Sequence, residues 1–253
     1  MALQQSALPA SRLQPASSLR LWHEALVIGE WLSLHTSPVY YGWRVPRGDG
    51  SPVIVVPGFM GSDRYLLDLY LWPMRIGYKP YYSGMGRNVD CPELLMRRLT
   101  VSVQQANAET GRPVRLLGHS LGGTIARTVA ARHPALVSQV IALGSPVAFA
   151  RVHPAVLATA GLVRRRIGRK GSRPEGCYTQ ECDCEFAESA GMRLPASIAR
   201  TAIYTKADGV VDWRCCLEDD DEANIEVRGT HVGLAFNAQV YRKVAEVLAS
   251  VAV

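Results

Sequence analysis

Residues 114–123 constrain the fold more than any other part of the chain. A short apolar run, 114–117, is broken by Gly118. The stretch Gly118-His119-Ser120-Leu121-Gly122-Gly123 then opens a segment of helical character, 121–132, which stops at His133-Pro134. A serine at the apex of such a turn is forced into a strained backbone conformation with its hydroxyl exposed. The turn closes only if the flanking side chains are small. A buried strand feeding a helix that packs back on it is the repeating unit of a parallel sheet.

The rest of the chain repeats that unit. Ser51-Pro52 introduces an apolar run, 53–56, which Pro57-Gly58 ends. Residues 78–82 read as a second strand closed by Gly84 and Gly86. Residues 91–109 read as a helix, with Leu94, Leu95, Leu99 and Val103 at helical spacing and Gly111 as its stop. Residues 137–143 form a further buried strand ended by Gly144-Ser145-Pro146. Residues 202–205 and 224–227 are two more strands, and 238–251 an amphipathic helix. This alternation predicts one α/β domain over residues 1–253, a mainly parallel central sheet with helices on both faces. Its function should gather at the carboxyl ends of the strands. A chain of 253 residues, 48% apolar and 20% charged, suits a single large domain.

Two stretches break the rhythm. Residues 1–50 predict an N-terminal helical extension, with a helix near 19–34 interrupted by Glu24 and Glu30, and one antiparallel edge strand. Residues 147–199 separate two strands, too long for an unstructured loop, and are expected to form a cap or lid.

The pattern G-x-S-x-G, placed between a strand and a helix, marks Ser120 as a nucleophile. A serine hydroxyl needs a base within hydrogen-bond reach. Of the six histidines, only His231 follows a late strand, in Gly229-Thr230-His231-Val232-Gly233. The acid that orients it should lie between the two. Asp208, just after a strand and followed by Gly209, is expected to fill that role, with Asp212 as the alternative. His119 adjoins Ser120, but adjacent side chains at such a turn diverge, so it is read as packing or pocket lining. The oxyanion hole needs two donors. They are expected to be the Leu121 amide and the Phe59 amide in Pro57-Gly58-Phe59-Met60-Gly61, with Met60 as the alternative. Substrate contacts are expected from Met60, His119 and Val210, and less specifically from Tyr65, Leu66 and Leu67.

Taken together, Pro57-Gly58-Phe59, the elbow at 118–123, Asp208-Gly209-Val210-Val211 and Gly229-Thr230-His231 resemble the bacterial α/β-hydrolase esterases and lipases. Gly84-Met85-Gly86-Arg87-Asn88 also looks like a loop of one bacterial hydrolase subgroup. The likeness runs from about residue 51 onward. It implies the α/β-hydrolase fold and carboxylic ester hydrolysis through an acyl-enzyme, without metal or organic cofactor. The family also holds thioesterases, amidases and acyltransferases, which the elbow does not separate. A protein that keeps the fold without catalysis is the remaining alternative.

The other signals are weaker. The net charge is +6, and no nucleic-acid-reading motif accompanies it. The expected partner is a small-molecule or lipid ester. The basic run 164–170 either touches anionic lipid or is a solvated helix face. Cys177, Cys182 and Cys184 face Cys215-Cys216 in sequence as two clusters, open to one or two disulfides or to reduced thiols. Their spacing lacks the paired pattern of common zinc modules. The first residues lack a secretory pattern, so a cytoplasmic or cell-associated protein is expected.

Overall fold

The computed structural model describes residues 13–16, 18–147, 150–168 and 184–251. Two short strands, β1 (Leu13–Pro15) and β6 (Ala150–Val152), pair in parallel with each other. The remaining six, β2 (Pro52–Val56), β3 (Lys79–Tyr82), β4 (Val114–His119), β5 (Val137–Leu143), β7 (Ala199–Tyr204) and β8 (Asn224–Glu226), form one sheet. Its order is β3-β2-β4-β5-β7-β8 and every pairing is parallel. Among the described residues, seven α-helices accompany these strands: α1 (Val27–Thr36), α2 (Leu67–Arg75), α3 (Pro92–Thr110), α4 (Leu121–Arg132), α5 (Pro154–Gly168), α6 (Glu185–Ser189) and α7 (Ala238–Ala249).

The two faces of the sheet follow from the alternation of side chains along each strand. Val53 and Val55 of β2 join Leu34, Leu69, Trp72 and Tyr241 in a core layer with α1, α2 and α7. Ile54 and Val56 of the same strand join Leu95, Leu99, Ile125 and Val129 in a second layer with α3 and α4. Both faces are covered, so β2 is buried at every position and reads as a continuous apolar run rather than an alternation. Pro80 is tolerated in β3 because that strand is the sheet edge and pairs only with β2.

Charged residues in this core are paired. Arg115 of β4 is buried, and its guanidinium donates to the carbonyls of Leu248 (2.5 Å), in the last turn of α7, and Val251 (2.8 Å), just beyond it. Arg127 of α4 pairs with Glu218, and Arg200 lies 3.6 Å from the same carboxylate. Burial pulls the Arg127 guanidinium down and pushes the Glu218 carboxyl up, and their mutual attraction opposes both shifts.

Register brings the functional ends level. Val56 lies beside Gly118, His119 beside Leu143, and Leu143 beside Ile203. The loops after β2, β4, β5 and β7 therefore leave the sheet at one edge.

Two expectations change. The antiparallel edge strand expected in residues 1–50 is absent among the described residues. β1 runs parallel and pairs with β6 outside the main sheet. The helix expected near 19–34 is a 3-10 turn, Leu21–Leu26, running into α1. α2 is an element that the sequence reading does not name, and its Pro73 falls near the helix end. In the insertion, β6, α5 and α6 are described. The root of α5 is tied to the loop after β7 by a Val152–Val211 bridge and by the His153 N–H to the Val210 carbonyl (2.8 Å). Arg169 and Lys170 of the basic run, and Cys177 and Cys182, lie outside the described residues. No helix among the described residues is long and apolar enough to cross a membrane.

Candidate active site

The elbow closes as its glycines require. Ser120 sits at φ 53° and ψ −129°, a left-handed conformation that L side chains rarely adopt and that costs on the order of 1–3 kcal/mol. Its N–H donates to the Leu143 carbonyl (2.9 Å) and its own carbonyl accepts from the Gly123 N–H (2.9 Å). A Cβ on Gly122 would collide with the carbonyl oxygens of Val56 and Pro57, and one on Gly123 with the Ser145 side chain. Strand β2 and the elbow can approach this closely only with glycine there.

Three of the residues singled out by sequence meet at the carboxyl edge. His231 Nε2 lies 3.0 Å from Ser120 Oγ, and His231 Nδ1 lies 2.6 Å from Asp208 Oδ2. A carboxylate only accepts, so Nδ1 carries the proton and Nε2 presents its lone pair to the serine hydroxyl. The other oxygen of Asp208 accepts from the amides of Val210 (2.8 Å) and Val211 (2.7 Å), which fix its orientation. Asp212 is also buried but points elsewhere. It caps a 3-10 turn by accepting from the Arg214 N–H (3.1 Å). His231 is buried, and burial works against its charged form. The Asp208 carboxylate, with Glu24 adding a smaller pull, outweighs burial and holds the imidazole above its ordinary value.

The loop after β2 is braced by Asn88. The Asn88 side-chain amide donates to the Pro57 carbonyl (2.8 Å), the Asn88 N–H to the Gly61 carbonyl (2.8 Å), and the Met60 N–H to the Asn88 carbonyl (2.8 Å). The Met60 amide is thereby occupied. The Phe59 amide makes no hydrogen bond with the described residues, and Leu121 is the first residue of α4, where helix amides are left open. Gly58 packs against Ser120, a Cβ there falling 2.9 Å from the serine Cβ.

Of the expected substrate contacts, Met60 is exposed and Val210 is half-buried against Val211, Cys215 and Cys216. His119 belongs to packing rather than to the pocket wall. Its ring is buried, and Nε2 meets the His231 carbonyl at 2.9 Å, so Nε2 is the donor. Burial, with the neighbouring His231, pulls His119 down to about 4, which keeps it neutral. Leu66 is core, whereas Tyr65 and Leu67 are partly exposed.

Sequence reading missed the contribution of the N-terminal segment. Glu24 accepts from the amides of Gly209 (3.0 Å), His231 (3.1 Å) and Val232 (2.8 Å). Glu30 accepts from the Thr230 N–H (3.1 Å) and hydroxyl (2.6 Å). Two acidic residues at i and i+6 in an otherwise apolar segment were the one available signal.

No group of three or more His, Cys, Asp or Glu among the described residues is arranged to hold a metal ion.

A family model for the α/β-hydrolase fold matches residues 107–162, which contain the elbow. The chain is 35% identical over 124 residues to a triacylglycerol lipase of Burkholderia plantarii, covering 46% of this chain and 35% of that one. It is 35% identical over 104 residues to a triacylglycerol lipase of Pseudarthrobacter phenanthrenivorans, covering 38% and 33%. These matches span about a third of the length of the curated relatives. The structure superposes on that of a metagenome-derived lipolytic enzyme with a TM-score of 0.55 at 16% identity, over 80% of this chain and 95% of that one, a likeness of fold. The chain thus has the α/β-hydrolase fold and, over part of its length, is similar in sequence to bacterial triacylglycerol lipases.

Proposed function

We propose that this protein hydrolyses carboxylic esters with an apolar acyl part, through an acyl-enzyme on Ser120. The observation that carries the reading is the continuous contact from Ser120 Oγ through the His231 ring to Asp208, at 3.0 and 2.6 Å. Ser120 Oγ attacks the ester carbonyl carbon while His231 Nε2 takes its proton. The amides of Phe59 and Leu121 stabilise the tetrahedral oxyanion. His231 returns the proton to the departing alkoxy oxygen as the ester C–O bond breaks. Water then attacks the acyl carbon, giving its proton to His231, and the acid leaves as Ser120 is restored. Asp208 keeps the ring in the working tautomer and stabilises its charged form. Each oxyanion donor should contribute on the order of 100 to 1,000-fold in rate.

The apolar acyl preference rests on the segment that follows the oxyanion loop. Met60, Tyr65 and Leu67 present partly exposed apolar surface there, with the Tyr65 ring edge-on to Phe236. The lipase names of the relatives point the same way.

The test is hydrolysis of p-nitrophenyl esters across acyl chain lengths by wild type and Ser120→Ala. Activity confined to the wild type supports the reading, and the chain-length profile separates esterase from lipase. Equal activity in both, or none in either, rejects it.

A further inference from the structure

We infer that Glu24 is a positioning residue for the catalytic base, holding the acid loop and the histidine loop in register from a segment outside the main sheet. This rests on the Ser120–His231–Asp208 reading above. The Glu24 carboxylate spans the two loops that carry Asp208 and His231. One oxygen accepts from Gly209, the residue after Asp208, and from His231 itself, and the other accepts from Val232. A carboxylate can take several such bonds at once, and bonds to a charged acceptor are about twice as strong as neutral ones. The backbone of both the acid and the base is therefore tied to one side chain.

The surroundings are built for that contact. A Cβ on Gly209 would fall 2.9 Å from a Glu24 oxygen and closer still to the Arg20 carbonyl, so the loop approaches because it is glycine. Glu30, from α1, secures Thr230 in the same way, and a Cβ on Gly233 would collide with the Glu30 carboxylate. Leu34 and Val27 of this segment pack on the core, but Trp22, Leu26, Ile28 and Leu32 turn outward. The two carboxylates face inward, opposite to what burial of apolar surface alone would give.

Glu24 also acts on His231 through charge. Among the described residues, the titratable groups facing His231 are Asp208 on Nδ1, His119 on its carbonyl, and Glu24 on its amide. His119 is neutral, so Asp208 and Glu24 are the two charges that favour the imidazolium. A side chain that held the N-terminal segment without a charge at the histidine loop would leave the titration of His231 alone.

The experiment compares wild type, Glu24→Gln and Glu24→Asp in p-nitrophenyl ester hydrolysis against pH, with melting temperature and fluorophosphonate labelling of Ser120 recorded for each. Glu24→Gln is expected to lower kcat by about tenfold to a hundredfold with little change in KM, since small displacements of a catalytic group cost this much. Its acid limb should move to lower pH, because a negative charge beside the base is gone. A folded, labelled Glu24→Gln enzyme with kcat within twofold and an unmoved acid limb overturns the inference. If Glu24→Gln does not fold, Glu24→Asp decides. It keeps the charge on a stem one methylene shorter, so kcat should fall with the acid limb in place, and an unchanged kcat overturns the inference. Failure of the wild type to label at Ser120 would reject the serine-hydrolase reading itself, a different result from either.

Discussion

Asp208, not Asp212, meets the His231 ring: its Oδ2 lies 2.6 Å from Nδ1, while Asp212 turns its carboxylate to the Arg214 amide. The two acids are four residues apart and equally buried, so exchange to asparagine separates their roles cleanly. Asp208→Asn should lower kcat for p-nitrophenyl ester hydrolysis by on the order of 10,000-fold, because an amide favours the wrong ring tautomer. Asp212→Asn should stay within about tenfold, keeping an acceptor oxygen for its cap. The reverse ranking in steady-state kinetics would move the acid to Asp212.

The base must be neutral to act, so kcat/KM should rise with pH as His231 loses its proton. Asp208 and Glu24 together outweigh burial at this ring, so the midpoint of the acid limb is expected above the ordinary histidine value of 6.5. His119, already neutral, should add no inflection near neutrality. A pH profile whose midpoint lies at or below 6.5 would contradict this balance of charge and burial.

Asn88 holds the loop that carries the Phe59 amide, through three hydrogen bonds. Asn88→Ala removes the side-chain bond to the Pro57 carbonyl and keeps the two made by its backbone. We expect kcat to fall by about tenfold to a hundredfold with KM nearly constant, since the loop serves the developing oxyanion more than the ground-state ester. Kinetics with a p-nitrophenyl ester would check it, and a rise in KM alone would place Asn88 in substrate binding.

The Arg127–Glu218 pair ties α4, which starts at the nucleophile, to the loop beyond the acid. Arg127→Met strands a buried carboxylate and should cost about 3–5 kcal/mol of stability. In a protein of this size that is a loss of about 10 °C in melting temperature. Calorimetry checks it, and a variant melting within a degree or two of wild type would show that Arg200, 3.6 Å away, suffices for Glu218.

The parts of this site visible in sequence are those whose physics leaves a local trace. The strained turn at Ser120 demands Gly122 and Gly123 beside it, and a strand buried on both faces, such as Pro52–Val56, leaves an apolar run. Chain order then points to Asp208 and His231. What sequence hid are contacts between side chains and distant backbone. Glu24 and His231 are 207 residues apart, and an amide N–H has no residue identity to recognise. The segment also inverts the usual pattern, with Trp22 and Ile28 outward and Glu24 and Glu30 inward, so its carboxylates read as interruptions of a helix. Asn88 was visible as part of a glycine-rich loop, but its brace on Pro57 is a tertiary contact across 31 residues. His119 was open between pocket and packing because strand-end geometry, not composition, decides which way its ring turns.

The central claim is that Ser120 is a nucleophile activated by His231. Intact-mass spectrometry after incubation with a fluorophosphonate tests it most directly, on wild type, Ser120→Ala and His231→Ala. A single adduct on wild type at Ser120, none on Ser120→Ala and strongly slowed labelling of His231→Ala is the predicted result. An unlabelled wild type, or equal labelling of Ser120→Ala, would contradict it.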